Sequence, residues 1–358
     1  MVNLPEPPRC SFASDNAAGA HPDVLDAIAR ANTGHALAYG QDRWTVELEQ
    51  RFSEMFGQPV STLLTLNGTG ANILALATLL KVGEAVVCTD WSHINDDEAA
   101  APERILGAKL IPVRSENGKM HPDRIHERAE AIGNIHHAQP GVVSITQVTE
   151  WGTTYTPDEI GAICDAAHSY GMRVHLDGAR LANAVAALGS GIDGLRAMTV
   201  DAGVDALSFG GTKNGLLAAE AVIHFSPLDR NFGTHLRKQV NQLSSKMRFV
   251  AAQFLAALDG DKWLAWASHA NDMAQRLHDG AKGVLGADAG PPPDANSMFP
   301  RLDKSVATTL REWCFFWDWN SATDQHRWMT AWDTTENDVD RFLAGVQHVV
   351  AEFPQNRN

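Results

Sequence analysis

The chain has 358 residues, 44% of them hydrophobic, and a formal net charge of −14 with a pI near 5.5; it is longer than a single ~150-residue unit, so one large domain with a smaller companion is expected. Its acidity and scattered basic residues exclude nucleic acid and acidic membrane surfaces as expected partners, and without a leader pattern or a run of ~18 apolar residues a cytoplasmic location is expected. Cys10, Cys88, Cys164 and Cys314 show no CxxC spacing and no disulfide-scaffold density, which suits buried thiols in a reducing compartment.

In chain order, residues 1–35 read as an irregular segment with a short helix near 22–32, and 41–57 as an amphipathic helix. Strand and helix patterns then alternate. Candidate strands lie at 60–66, 85–89, 108–113, 141–148, 172–177, 205–209 and 219–225, so a mostly parallel seven-stranded sheet covered on both faces is expected. The segment LLTLNGTGANILALATLL (63–80) reads as a strand, a Gly/Thr turn and a helix whose first-turn amides suit an anion. It has neither the GxGxxG spacing of a dinucleotide site nor the GK[ST] ending of a P-loop. The helix at 157–170 is signalled by Thr156 as cap, Pro157 at the first position and Glu159 closing a capping box. Helical patterns from 226 to about 285 lead to GADAGPPPDAN, a loop into a smaller α+β unit with strands 296–302, 313–318 and 327–333 and helices 303–312 and 336–351. The expected division is 1–35, 36–255 for the large domain and 256–358 for the small one.

Two segments carry the chemistry. HLDGAR (175–180) ends a strand at Asp177, and SFGGTKNG (208–215) places Lys213 after another, so both would reach the carboxyl edge of one sheet, where open α/β sheets bind ligands. Taken singly, Asp177 reads equally well as a helix cap and Lys213 as a loop lysine. As a pair they fit pyridoxal phosphate, which needs an amine at its aldehyde and an Asp at its ring nitrogen. The turn at Gly68 and Thr69 would bind the phosphate. Metal is not expected: His121, His126, His136 and His137 have no ligand spacing and read as solvated surface.

FASDN (12–16), AYGQD (38–42), NGTGAN (67–72), WSHINDDE (91–98), TQVTEWGT (146–153), HLDGAR, SFGGTKNG, SSKMRF (244–249) and RWMTAWDTTE (327–336) occur in an order that resembles the low-specificity L-threonine aldolases, phenylserine aldolase-type enzymes included. The resemblance spans nearly the whole chain. It implies an aspartate-aminotransferase-like, type I pyridoxal-phosphate fold and reversible cleavage of L-β-hydroxy-α-amino acids, such as threonine, allo-threonine and phenylserine, to glycine and an aldehyde. Carried over by position, Lys213 bonds to the cofactor, Asp177 pairs with its ring nitrogen, Gly68, Thr69 and Thr212 bind it, and His93 stacks on it. Ser14, Arg180 and Arg327 match the substrate-carboxylate positions, Arg180 also lying beside the cofactor, and an Arg fork suits that task. Tyr39, Lys246 and Arg248 match segments that approach a neighbouring subunit's site, so a homo-oligomer, dimer or tetramer, is implied.

The chain departs from the family at one place. Where many relatives carry a second histidine, Glu150 stands, followed by Trp151. Glu150 could take the β-hydroxyl proton or only orient His93, so His93, Glu150 and a bound water stay open as the base; Trp151 reads first as packing. The ion pair of Arg327 with Asp333 or Glu336 is the plain alternative to its role at the site. Another pyridoxal-phosphate lyase acting by β-elimination or deamination, and a non-catalytic binding protein on the same fold, are the competing readings.

Overall fold

The computed structural model of the chain describes residues 4–353. Seven strands, β1 (Ser61–Thr65), β2 (Glu84–Thr89), β3 (Lys109–Val113), β4 (Gln139–Thr146), β5 (Arg173–Gly178), β6 (Ala206–Gly210) and β7 (Glu220–His224), form one sheet in the order β1-β7-β6-β5-β4-β2-β3. Only β7 runs against its neighbours; β6, β5, β4, β2 and β3 pair in parallel. The central strands are buried along nearly their whole length because helices cover both faces. Val143, Val174, Leu176 and Leu207 have no exposed surface, and truncating any of them to Ala would cost about 2–5 kcal/mol.

Local chemistry fixes the connections. Before the helix Pro157–Ser169, Thr156 Oγ1 accepts from Glu159 N at 3.2 Å and Thr156 N donates to Glu159 Oε2 at 2.7 Å, the expected capping box. At the end of β6, a Cβ on Gly210 would lie 2.6 Å from Ala179 O, and one on Gly211 2.5 Å from Ala219 O. Only glycine permits so close a backbone approach. That approach presses the turn carrying Lys213 against the turn that follows Asp177.

A smaller sheet, β8 (Ser297–Met298), β9 (Trp317–Asn320) and β10 (Gln325–Met329), has the order β8-β10-β9 and is antiparallel. It corrects the expected strands at 296–302, 313–318 and 327–333. Pro300 cannot donate to a ladder, so β8 stops early and pairing resumes only as a bridge between Arg301 and Gln325. The helix Lys304–Trp313 takes up the start of the second expected strand.

The helix Lys262–Leu285 joins two cores. Trp263, Trp266 and Ala267 pack in the core under the large sheet; Met273, Leu277, Ala281 and Leu285 pack in the core under the small one. The N-terminal segment crosses the same seam. Phe12 is fully buried in the second core, 4.3 Å from the Phe342 ring, Met329 N donates to Phe12 O at 3.0 Å and Arg9 N to Asp338 Oδ1 at 2.9 Å. No helix among the described residues is long and apolar enough to cross a membrane.

Candidate active site

Two adjoining cavities open at the carboxyl ends of the parallel strands and share Asn16, His93 and Lys213. The first, about 280 Å³, is lined by Gly68, Thr69, Asp177, Thr212 and Lys213 among others. Asp177 is 4% exposed. Its Oδ1 accepts from Ala179 N at 3.0 Å and its Oδ2 from Asn72 Nδ2 at 2.8 Å, so it caps no helix; the next one starts after Arg180 with no side-chain cap. Lys213 sits in the 3-10 turn Thr212–Asn214. Its ammonium has no hydrogen-bond or ionic partner among the described residues, an uncommon state for a half-buried cation facing a cavity.

The helix Gly68–Leu79 enters this cavity by its N-terminus. Asn67 caps it, Oδ1 accepting from Gly70 N at 2.7 Å and the carbonyl from Ala71 N at 3.0 Å. The amides of Gly68 and Thr69 are the first-turn donors left for an anion. Nothing lies within 4 Å of a Cβ built on Gly68, whereas one on Gly70 would overlap Gln242. Across the cavity floor, Glu220 Oε2 accepts from Gly211 N at 2.7 Å and Thr212 Oγ1 from Ala219 N at 3.2 Å; burial pushes the Glu220 carboxyl up.

His93 is oriented by Glu98, not Glu150. Its Nδ1 lies 2.8 Å from Glu98 Oε1, and Asn72 Nδ2 donates to the same oxygen at 2.9 Å as well as to Asp177. Burial pulls the His93 pKa down, but the Glu98 hydrogen bond and the charges of Asp177 and Glu150 outweigh it, with Lys213 opposing, and the net shift is upward.

The second cavity, about 400 Å³, gathers Ser14, Glu150, Arg180 and Arg327 with Trp317 and Trp319. Arg180 is held by buried Asp15, Nε to Oδ2 at 2.6 Å and Nη2 to Oδ1 at 3.0 Å. Asp15 thus occupies the Nε/Nη2 edge of the guanidinium and leaves Nη1 without a partner among the described residues. Asp15 also accepts from Asn296 Nδ2 at 3.2 Å. Burial raises the Asp15 pKa, but Arg180 and then Lys213 more than reverse this. Arg327 stacks its guanidinium 4.5 Å above Trp319 and gives Nη2 to Ala13 O at 3.1 Å. Its Nε is buried and has no partner. Burial, then the nearby Arg180 charge, pulls its pKa down to about 10. Neither Asp333 nor Glu336 pairs with it; Glu336 faces Arg276. Glu150 is 8% exposed and its carboxylate has no partner among the described residues.

Trp151 lines neither cavity. It packs against Trp91, Phe299 and Trp319 at 5.0, 5.6 and 6.4 Å between centroids, so Trp319 supplies the aromatic wall and Trp151 backs it. Tyr39, Lys246 and Arg248 also lie outside both cavities. Tyr39 is half exposed at φ 60°, Lys246 is exposed, and Arg248 Nη1 donates to Gly34 O at 3.2 Å. Of the residues that sequence reasoning missed, Asn72, Glu98 and Asp15 lie inside motifs already singled out, and Trp319 belongs to a run of five tryptophans between 313 and 332 that reads first as packing and second as a substrate contact.

The chain matches the beta-eliminating lyase family over residues 11–304. It is 38% identical to a low specificity L-threonine aldolase of a Pseudomonas species, over 95% of this chain and 98% of the relative. It is 40% identical to the enzyme of that name from Pseudomonas aeruginosa, over 92% and 94%. A solved Leishmania major threonine aldolase superposes with a TM-score of 0.85 at 28% identity, covering 95% of this chain and 99% of that one. With this coverage and the strand order described above, the chain belongs to the beta-eliminating lyase family, on the aspartate-aminotransferase-like fold of pyridoxal-phosphate enzymes.

Proposed function

We propose that the protein cleaves L-β-hydroxy-α-amino acids reversibly to glycine and an aldehyde, with pyridoxal phosphate held in the cavity of Asp177 and Lys213. The observation that carries this reading is the unpartnered Lys213 amine on the wall shared by two cavities. One of them offers Asp177 and the free amides of Gly68 and Thr69; the other offers two arginines. These donors suit a group with an aldehyde, a basic ring nitrogen and a phosphate. When bound, that group supplies an electron sink for the breaking bond.

The chain's own residues do the rest. Asp177, fixed by Asn72 and Ala179 N, holds a proton at the ring nitrogen. Arg327, with Nε unpartnered, grips the substrate carboxylate; Arg180, anchored on Asp15 through Nε and Nη2, adds Nη1, and Ser14 lines the same cavity. Anchoring that carboxylate selects which bond at the α-carbon stands ready to break. Glu150, buried and unpartnered in the same cavity, takes the β-hydroxyl proton. The exposed Tyr39 and Lys246 and the half-buried Arg248 serve a neighbouring copy's site in a homo-oligomer.

The test is to incubate the protein with threonine and with phenylserine and to assay glycine plus aldehyde against ammonia plus keto acid. Equimolar glycine and aldehyde supports the reading. Ammonia and keto acid would replace it with an eliminating lyase, and no turnover with no borohydride-bleachable chromophore would leave only a binding protein.

A further inference from the structure

One buried network joins the two ends of the cofactor cavity. Glu98 Oε1 lies 2.8 Å from His93 Nδ1 and accepts from Asn72 Nδ2 at 2.9 Å, and Asn72 Nδ2 also donates to Asp177 Oδ2 at 2.8 Å. Asn72 thus spends both amide hydrogens on carboxylates, one on each side. The opposite oxygens, Glu98 Oε2 and Asn72 Oδ1, are buried without a partner. Orphaned buried oxygens are costly, and the backbone is bent to keep them there: Ala99 and Ala100 follow Glu98 at φ 51° and 57°, a left-handed pair without a glycine.

The Glu98 side chain has no exposed surface, so its contacts fix how it meets His93. Among the described residues His93 is its only titratable contact that can become a cation; the amide of Asn72 brings none. The charged groups that face His93 are Glu98, Asp177 and Glu150, all favouring the cation, and Lys213, opposing it. His93 Nε2 has no partner among the described residues, and the ring lines both cavities.

We propose that Glu98 and Asn72 are positioning residues for His93: they hold the ring through Nδ1, so that Nε2 is the nitrogen turned to the cavities and Glu98 sets its affinity for a proton. The proposal rests on the aldolase reading for what this nitrogen serves: the proton that leaves the β-hydroxyl for Glu150 is balanced by the one the α-carbon of glycine regains, and His93 Nε2 faces the cavity in which both transfers take place.

Nitrogen NMR of the histidines in the cofactor-free protein, titrated with pH and assigned by His93→Asn, tests this without any turnover. A His93 midpoint above that of a free histidine, falling by about one pH unit or more in Glu98→Gln and recovering in Glu98→Asp, is the expected result. A midpoint that Glu98→Gln leaves unmoved overturns it. If Glu98→Gln fails to fold, Asn72→Ser, which lets Glu98 turn away from His93, is expected to lower the midpoint in the same direction, and an unchanged midpoint there also overturns the proposal. In the active protein, Glu98→Gln moves a limb of the kcat/KM profile to lower pH, while in a His93→Asn background it changes kcat/KM less than about twofold. A uniform loss at every pH, with no displaced limb, means a merely structural role. Because the NMR result stands whether or not glycine is released, failure of this inference and failure of the aldolase reading are told apart.

Discussion

The cavity around Asp177 and Lys213 takes most of its walls from strand ends and turns between Leu66 and Glu220, whereas the cavity around Arg327 needs Ser14, Glu150, Arg180 and Trp319 brought from four distant parts of the chain. In the first, Asp177 and Lys213 each stand at a strand end or in the turn after it, with Asn72 reaching across to Asp177. In the second, the two arginines are held by partners far away in sequence, Arg180 by Asp15 and Arg327 by Ala13 O. On the proposed function, cofactor chemistry rests on the sheet and substrate recognition on the seam between two cores.

Lys213→Ala gives the largest contrast. It should abolish both the borohydride-reducible chromophore and glycine release, and retained turnover would sink the assignment. Arg327→Ala should keep the chromophore while raising KM by about 10²-fold, the loss of a charged hydrogen-bonding partner; steady-state kinetics beside an absorbance spectrum separates the two cavities. Asp15→Asn should act on the same side but also destabilise, by about 3–5 kcal/mol, because it leaves Arg180 buried without its charge partner; denaturant midpoints measure it.

The scaffold under Asp177 has its own pH signature. His175, bonded to Ser144 and Ser208 at 2.9 Å each, and His224, 3.1 Å from Thr78 Oγ1, are held neutral, burial pulling both pKa values down to about 4. Their folded values lie below the unfolded one, so stability is complete above about pH 6.5 and is lost as pH falls toward 4; at pH 5 the loss is about 2 kcal/mol per histidine. Urea midpoints at pH 7 and pH 5 should show it, and His175→Gln should flatten the slope. The smallest effect belongs to Trp151→Phe. Since Trp151 only backs Trp319, kcat/KM should change less than about threefold, and a larger fall would move Trp151 into the site.

Much of this was legible in the residues because it is local. Asp177 and Lys213 each follow an apolar strand, and the Thr156–Glu159 box announces its helix. The exchange of Glu150 for a histidine is visible in the sequence; that Glu98 and not Glu150 orients His93 is not, since a hydrogen bond five residues along a bent turn leaves no periodic trace. The pairing of Arg180 with Asp15 was hidden because it joins residues 165 positions apart. Strand lengths in the small sheet misread for a similar reason: Pro300 and the end of the helix Lys304–Trp313 outweighed the alternating pattern.

Residues 4–16 act as a latch. They enter the second core at Phe12, lend Ala13 O to Arg327 and Asp15 to Arg180, and end at Asn16 on the wall common to both cavities. Clipping that latch would leave the sheet and its lysine standing but cost the enzyme its hold on amino acids, so proteolytic nicking near Ser11 would produce a coloured, inert protein.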